Sequence, residues 1–263
     1  MIKGFILIKS KNVRSINSQL IPNHLVKELN VSKISDDLKK NLLKDGYLFI
    51  RNVYKKDDIK NAKNRILKHL YEVGEVKKPY SDGIFSGVSK RKELYPNIVE
   101  LGKFWRKISE SNQLRKVING KEIINVFENI FKEKVNHFSF AWLRAVIKGK
   151  ASPLHIDHPY MNRGTDKLLT CWTPLSSINK NEGALFVLKN SHNWIDIKKT
   201  FLNHDIDLNP SIPGYITENT LDLVSRKKSY FLTSDFESGD CLIFGMFMIH
   251  GSFDNNTTIG KIR

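Results

Sequence analysis

Followed from its N-terminus, the chain first shows a regular pattern at Ser35-Asp36-Asp37, capping residues ahead of a helical run that reaches Leu43 and stops at Asp45-Gly46, a helix-ending pair. Tyr47-Leu48-Phe49-Ile50 then predicts a strand. Asp57-Asp58 opens a second helix in which Ile59, Ala62, Ile66, Leu70 and Val73 keep helical spacing. Residues 77–92, with Pro79, Ser81, Asp82-Gly83 and Gly87, read as a loop, and further helices are expected at 98–108 and 114–131. The second half differs. Residues 138–146, 168–174, 184–188, 230–233 and 241–249 are short runs rich in β-branched and aromatic side chains, parted by turn residues. Helices first and strands later predict an α+β fold with a mainly-β core, its antiparallel strands buttressed by N-terminal helices. With no internal repeat or low-complexity linker, a single domain over 1–263 is expected, helix-rich in 1–134 and β-rich in 135–263. The polar stretch 203–226, holding Pro210 and Pro213-Gly214, is a candidate lid over an open end of that core.

Composition changes this picture little. The 263 residues suffice for a well-buried core, and 40% hydrophobic with 27% charged residues describes an ordinary globular protein. No apolar stretch approaches membrane-spanning length, and the start of the chain lacks the apolar core and cleavage site of a signal peptide, so a cytoplasmic location is expected. The two cysteines, Cys171 and Cys241, sit in apolar strand-like runs and read as small buried hydrophobes, not a disulfide framework. The net charge of +16 raises the question of nucleic acid. Its lysines are dispersed pairs, however, such as Lys39-Lys40, Lys77-Lys78 and Lys198-Lys199, without a basic run or an aromatic-interleaved stripe. Solvated surface lysines are the expectation, and neither nucleic acid nor membrane is an expected partner.

The chemistry begins at Leu154-His155-Ile156-Asp157-His158. In an extended chain, residues two apart share a face, so His155 and Asp157 can converge on one ion. His250 ends a strongly apolar run that starts at Cys241, and the ordinary reading of such a residue is a hydrogen-bonded core histidine. Joined with His155 and Asp157 it completes two imidazoles and one carboxylate. That set occupies one face of an octahedral iron(II) and leaves positions for a cosubstrate and oxygen, though zinc accepts the same ligand types.

Leu43-Lys44-Asp45-Gly46-Tyr47, His155-Ile156-Asp157, Asn181-Glu182-Gly183-Ala184-Leu185, Ser191-His192, Glu237-Ser238-Gly239-Asp240 and His250-Gly251-Ser252 follow one another in the order seen in phytanoyl-CoA dioxygenase-like proteins. The resemblance runs from Leu43 to the last residue. It implies a double-stranded β-helix (a cupin-like jelly roll), the cofactors Fe(II) and 2-oxoglutarate, consumption of O2, and hydroxylation of a small organic substrate with release of succinate and CO2. It further implies that His155, Asp157 and His250 are the metal ligands, and that Ser252 and Arg263 contact the distal carboxylate of 2-oxoglutarate. A guanidinium fits that role because its fork binds both carboxylate oxygens. Trp172 and Tyr160 match positions lining the cosubstrate pocket, with plain core packing as the alternative for both. Asn255 is expected to cap the turn after His250.

The sequence departs from the family pattern in three ways. The gap from His250 to the arginine is about two residues longer, so that strict register would place Lys261 where Arg263 is assigned. The chain ends on Arg263 where the pattern continues into another strand, so a short C-terminus is expected. Ser191-His192 lacks the preceding Pro-Gly, and His192 is expected to be structural. These departures keep open a second reading, a non-catalytic jelly-roll binding protein derived from the family. A third, a nucleic-acid-modifying dioxygenase, draws only on the net charge. Arg144, within Trp142-Leu143-Arg144-Ala145-Val146, is the candidate substrate contact, and if it faces the pocket an acidic substrate is favoured.

Overall fold

The computed structural model describes residues 16, 18–139, 141–145, 152–212, 214–217, 219–257, 260 and 262. Among these the helices are α1 (Leu38–Asp45), α2 (Lys56–Glu72), α3 (Arg91–Leu94), α4 (Ile98–Ser109), α5 (Asn112–Ile118), α6 (Lys121–Phe131), α7 (His158–Met161), α8 (Ile195–Phe201) and α9 (Thr220–Arg226). The strands are β1 (Val26–Glu28), β2 (Tyr47–Ile50), β3 (Leu169–Trp172), β4 (Leu185–Leu188), β5 (Phe231–Thr233), β6 (Cys241–Gly245) and β7 (His250–Ser252). The chain divides into two compact units. One, within 53–148 and 257–263, carries α2 to α6; the other, within 13–52 and 149–256, carries every strand together with α1 and α7 to α9. An α+β architecture results, as the order of patterns predicted.

In the helical unit the spacing of apolar residues is used as read. Ile59, Ala62 and Leu70 of α2, Phe104 and Ile108 of α4, Leu114 and Val117 of α5, and Ile123, Val126 and Ile130 of α6 are all buried. The stretch expected as one helix over 114–131 is two. It breaks at Asn119-Gly120, where a Cβ on Gly120 would overlap the Lys116 carbonyl in the last turn of α5. Of the strand expected over 138–146, the described residues 138, 139 and 141–145 hold no regular structure, and Phe138 and Trp142 are exposed. Aromatic and β-branched residues favour strands only where a neighbouring strand and a buried face receive them, and here no described strand pairs with them.

The β unit has two sheets. One runs β1-β5-β4-β7, the other β2-β6-β3. In the smaller sheet Tyr47 and Thr170 both pair with Phe244, and Phe49 and Trp172 both pair with Leu242, so these side chains share one face. That face joins Phe186, Val187, Phe231, Phe236 and Phe253 in a single apolar cluster to which both sheets contribute. The run expected as one strand over 241–249 is instead β6, a turn closed by Met248 N–H donating to Gly245 O at 3.0 Å, and β7. An uninterrupted apolar run hides that turn, because every residue in it is needed by the core.

The helix start and stop read from α1 are confirmed in detail. The Asp37 side chain accepts from Lys40 N–H, and Gly46 closes the helix at φ 78°. The segment expected as a lid contains α9 at its end. Its first part is laced along 154–163: Ile206 N–H donates to Pro159 O at 2.9 Å, Ile216 N–H to Leu154 O at 2.8 Å, and Asn162 Nδ2 to His204 O at 3.0 Å. Arg163 grips both carboxylate oxygens of Asp205 at 2.7 Å.

A candidate metal centre between paired backbone segments

Backbone pairing creates the site. His155 and His250 form an antiparallel bridge in which each N–H donates to the other's carbonyl at 2.9 Å, so the two residues stand directly opposite one another. Their side chains leave the same face, with ring centroids 4.1 Å apart. Asp157, two residues on from His155, is turned to the same spot, and its N–H donates to Met246 O at 3.0 Å in the turn between β6 and β7. Asp157 Oδ1 lies 3.9 Å from His155 Nε2 and 3.6 Å from His250 Nε2. One donor atom from each of the three lies within 4.8 Å of the others.

The hydrogen bonds decide which nitrogens face the centre. His155 Nδ1 is 2.8 Å from Pro153 O and His250 Nδ1 is 3.0 Å from Met248 O. A carbonyl can only accept, so both Nδ1 atoms donate to backbone, and it is the two Nε2 atoms that face the Asp157 carboxylate. Two imidazole Nε2 atoms and a carboxylate turned inward in this way suit a divalent cation, and the backbone carbonyls fix ring orientation as such ligands require. The chemistry of the donor set fits iron(II). The remaining carboxylate oxygen is held as well: Thr170 Oγ1 donates to Asp157 Oδ2 at 2.5 Å. The sequence reading missed Thr170. Inside Leu168-Leu169-Thr170-Cys171-Trp172 a threonine looks like an ordinary strand former, and the alternation with Trp172 was the only available signal.

The other residues of the sequence motif build the frame. Gly251 separates His250 from Ser252, and a Cβ there would stand 3.0 Å from Phe186 Cζ and 3.1 and 3.3 Å from the carbonyl oxygens of Ser152 and Pro153. A side chain would push β7 away from the segment carrying His155. Gly46 and His192, far apart in sequence, meet: a Cβ on Gly46 would overlap the His192 imidazole and the Met248 methyl. Burial, with help from the Lys198 charge, pushes the His192 imidazole below its ordinary pKa. Asp240 is buried and accepts from the Glu237 and Asn52 N–H groups and from the Arg51 guanidinium, locking the start of β6 beside the end of β2. Asn255 is buried and bridges to Glu182 in the turn before β4.

Of the expected cosubstrate residues, Ser252 follows His250 on the same face of β7, and its Oγ accepts from Ser152 N–H at 2.9 Å. Tyr160 stands edge-on to His155 with centroids 6.3 Å apart, its hydroxyl filling the place a Cβ of Gly214 would take. Trp172 shares its face of β3 with Thr170 and packs edge-on against Phe236 at 4.9 Å. Arg263 and Lys261 lie outside the described residues. Arg144 belongs to the helical unit, in a segment without regular structure, and its side chain is exposed.

The chain is similar to human peroxisomal phytanoyl-CoA dioxygenase, with 31% identity over 114 residues, 42% of this chain and 31% of that protein's length. Among solved structures it shares its fold with SnoK, a non-haem α-ketoglutarate-dependent carbocyclase from nogalamycin biosynthesis. There the TM-score is 0.52 and the identity 11%, over 89% of this chain and 84% of that one. A second fold match is EctD from S. alaskensis in its apo form, with TM-score 0.50 and 14% identity over 95% and 81% of the two chains. The pattern that describes the family, phytanoyl-CoA dioxygenase (PhyH), matches residues 42–263, and so takes in the last turn of α1, strands β2 to β7 and all three candidate ligands. On that match the chain belongs to the phytanoyl-CoA dioxygenase family.

Proposed function

We propose that this protein is an Fe(II)- and 2-oxoglutarate-dependent oxygenase that hydroxylates a small organic substrate, releasing succinate and CO2, and that its two sheets form a double-stranded β-helix. The observation that carries the reading is the inward-facing set of His155 Nε2, His250 Nε2 and Asp157 Oδ1, with both Nδ1 protons committed to backbone carbonyls. Such a triad leaves three positions of an octahedral ion for the keto acid and oxygen. Iron bound there supplies the oxidative chemistry, which the cofactor brings and the protein orients.

The chain's own residues then have plain tasks. Ser252, already accepting from Ser152, has a hydroxyl proton to give to a carboxylate of 2-oxoglutarate. Arg263 keeps its assignment as the guanidinium partner of that carboxylate, while Trp172 and Tyr160 line the slot and exclude water. Arg144 keeps its assignment as the candidate substrate contact, and an acidic substrate is favoured if it faces the pocket. The non-catalytic reading has no observation at the site that favours it.

The test is formation of succinate from 2-oxoglutarate by the purified protein with Fe(II) and air. Iron-dependent succinate formation that disappears in His155→Ala is expected. Succinate formation that persists in His155→Ala would remove the metal assignment.

A further inference from the structure

The two oxygens of Asp157 are not equivalent. Oδ1 faces the two imidazole Nε2 atoms, whereas Oδ2 accepts a hydrogen bond from Thr170 Oγ1 at 2.5 Å, the short end of the range for a hydroxyl on a carboxylate. Thr170 is in the smaller sheet, and Asp157 follows the segment that extends the larger one past β7. The donor is stiff on both counts that matter. Its backbone is fixed by pairing with Phe244, and a β-branched side chain has few χ1 choices.

We propose that Thr170 is a positioning residue whose hydroxyl ties up Oδ2, so that Asp157 offers a metal one oxygen instead of two. The inference rests on the metal-centre reading above and assigns a residue to it. Its chemical consequence is a coordination count. Two imidazoles and one carboxylate oxygen use three of six positions; a carboxylate turned to bind through both oxygens would use a fourth. A keto acid needs two positions and oxygen one, so the Thr170 hydrogen bond keeps the last position open. It also fixes the carboxylate against rotation about its Cβ–Cγ bond, as hydrogen bonds to metal-ligating carboxylates generally do.

Co(II) is a suitable probe because its visible bands report coordination number and it is stable in air. Wild type, Thr170→Val, Thr170→Ser and Asp157→Ala would be titrated with Co(II), then with 2-oxoglutarate, and the unloaded proteins melted to compare their folds. Thr170→Val is expected to bind Co(II) roughly 10- to 100-fold more weakly, with a changed band pattern and a weaker response to 2-oxoglutarate. Thr170→Ser, which keeps the hydroxyl, is expected to restore both affinity and spectrum. If Thr170→Val does not fold, Thr170→Ala removes the same hydroxyl without adding a methyl and carries the same expectation. Wild-type affinity and an unchanged spectrum in the folded hydroxyl-less variant would overturn the role of Thr170 alone. A wild-type protein that binds no Co(II), matching Asp157→Ala, would overturn the metal centre and Thr170's part in it together.

Discussion

Asp240 shows no exposed surface, and its carboxylate is shared among Glu237 N–H, Asn52 N–H and Arg51 Nη1 at 2.9, 3.3 and 2.7 Å. Replacing it by alanine strands two backbone donors and takes the carboxylate from a guanidinium that keeps only Asp235 O and Ser234 Oγ as acceptors. Arg51 keeps 33% of its side chain in water, which holds the cost to the low end for a broken buried pair, about 3 kcal/mol, read as a shift in urea midpoint. Gly46→Ala combines a left-handed backbone at φ 78° with overlap on His192 and Met248, and is expected to destabilise by about 2 kcal/mol or more in the same measurement. Both residues belong to the sequence pattern that led to the site, yet neither is placed to touch a ligand. Of the three candidate ligands, His155 and Asp157 were legible from their spacing of two in an extended run, and His250 from its place at the end of an apolar run together with the family resemblance. Thr170 was not, since a hydroxyl's partner becomes visible only once strand register sets it against Asp157.

The bridge between His155 and His250 is the element on which the site depends, and Gly251 permits it. Gly251→Ala meets two carbonyl oxygens and a phenyl ring, and backbone cannot swing aside as a side chain can. The variant is expected to fold and to bind Co(II) roughly tenfold or more weakly, as judged by titration, because ligands must hold position within about half an ångström. A second prediction concerns the segment 202–216. The Arg163 guanidinium beside Asp205 holds that carboxyl below its usual range, so the interaction is in place at neutral pH and is lost as pH falls past the ordinary carboxylate value, about 3.9, towards the depressed one. Asp205→Asn should therefore speed amide exchange in 202–216 at neutral pH, and the difference from wild type should close at acid pH. Element ends marked by caps, such as Asp37 and Gly46, were legible in sequence. The turn inside 241–249 and the lack of regular structure in the described part of 138–146 were not. In the first, core packing kept the run apolar; in the second, no described strand pairs with the strand-forming residues.

Across the whole molecule, all three candidate ligands fall in the unit that holds the strands, although β1, β2 and α1 reach it from the N-terminal part of the chain. The order of patterns gave the fold class, but strand order cannot be read from a pattern, and 13–52 joining the β unit was invisible to it. Among the described residues no helix is long and apolar enough to cross a membrane. Metal that binds only the folded state stabilises it by about 2.7 kcal/mol at one hundred times its Kd. That gain should show as slowed amide exchange in β7 and residues 152–157. The most direct test of the account is an anaerobic titration with Fe(II) followed by 2-oxoglutarate, watched for the visible charge-transfer absorption of an iron-chelated keto acid. A saturable band is expected in wild type and none in Asp157→Ala. Iron binding without a band in wild type, or an undiminished band in Asp157→Ala, would contradict it.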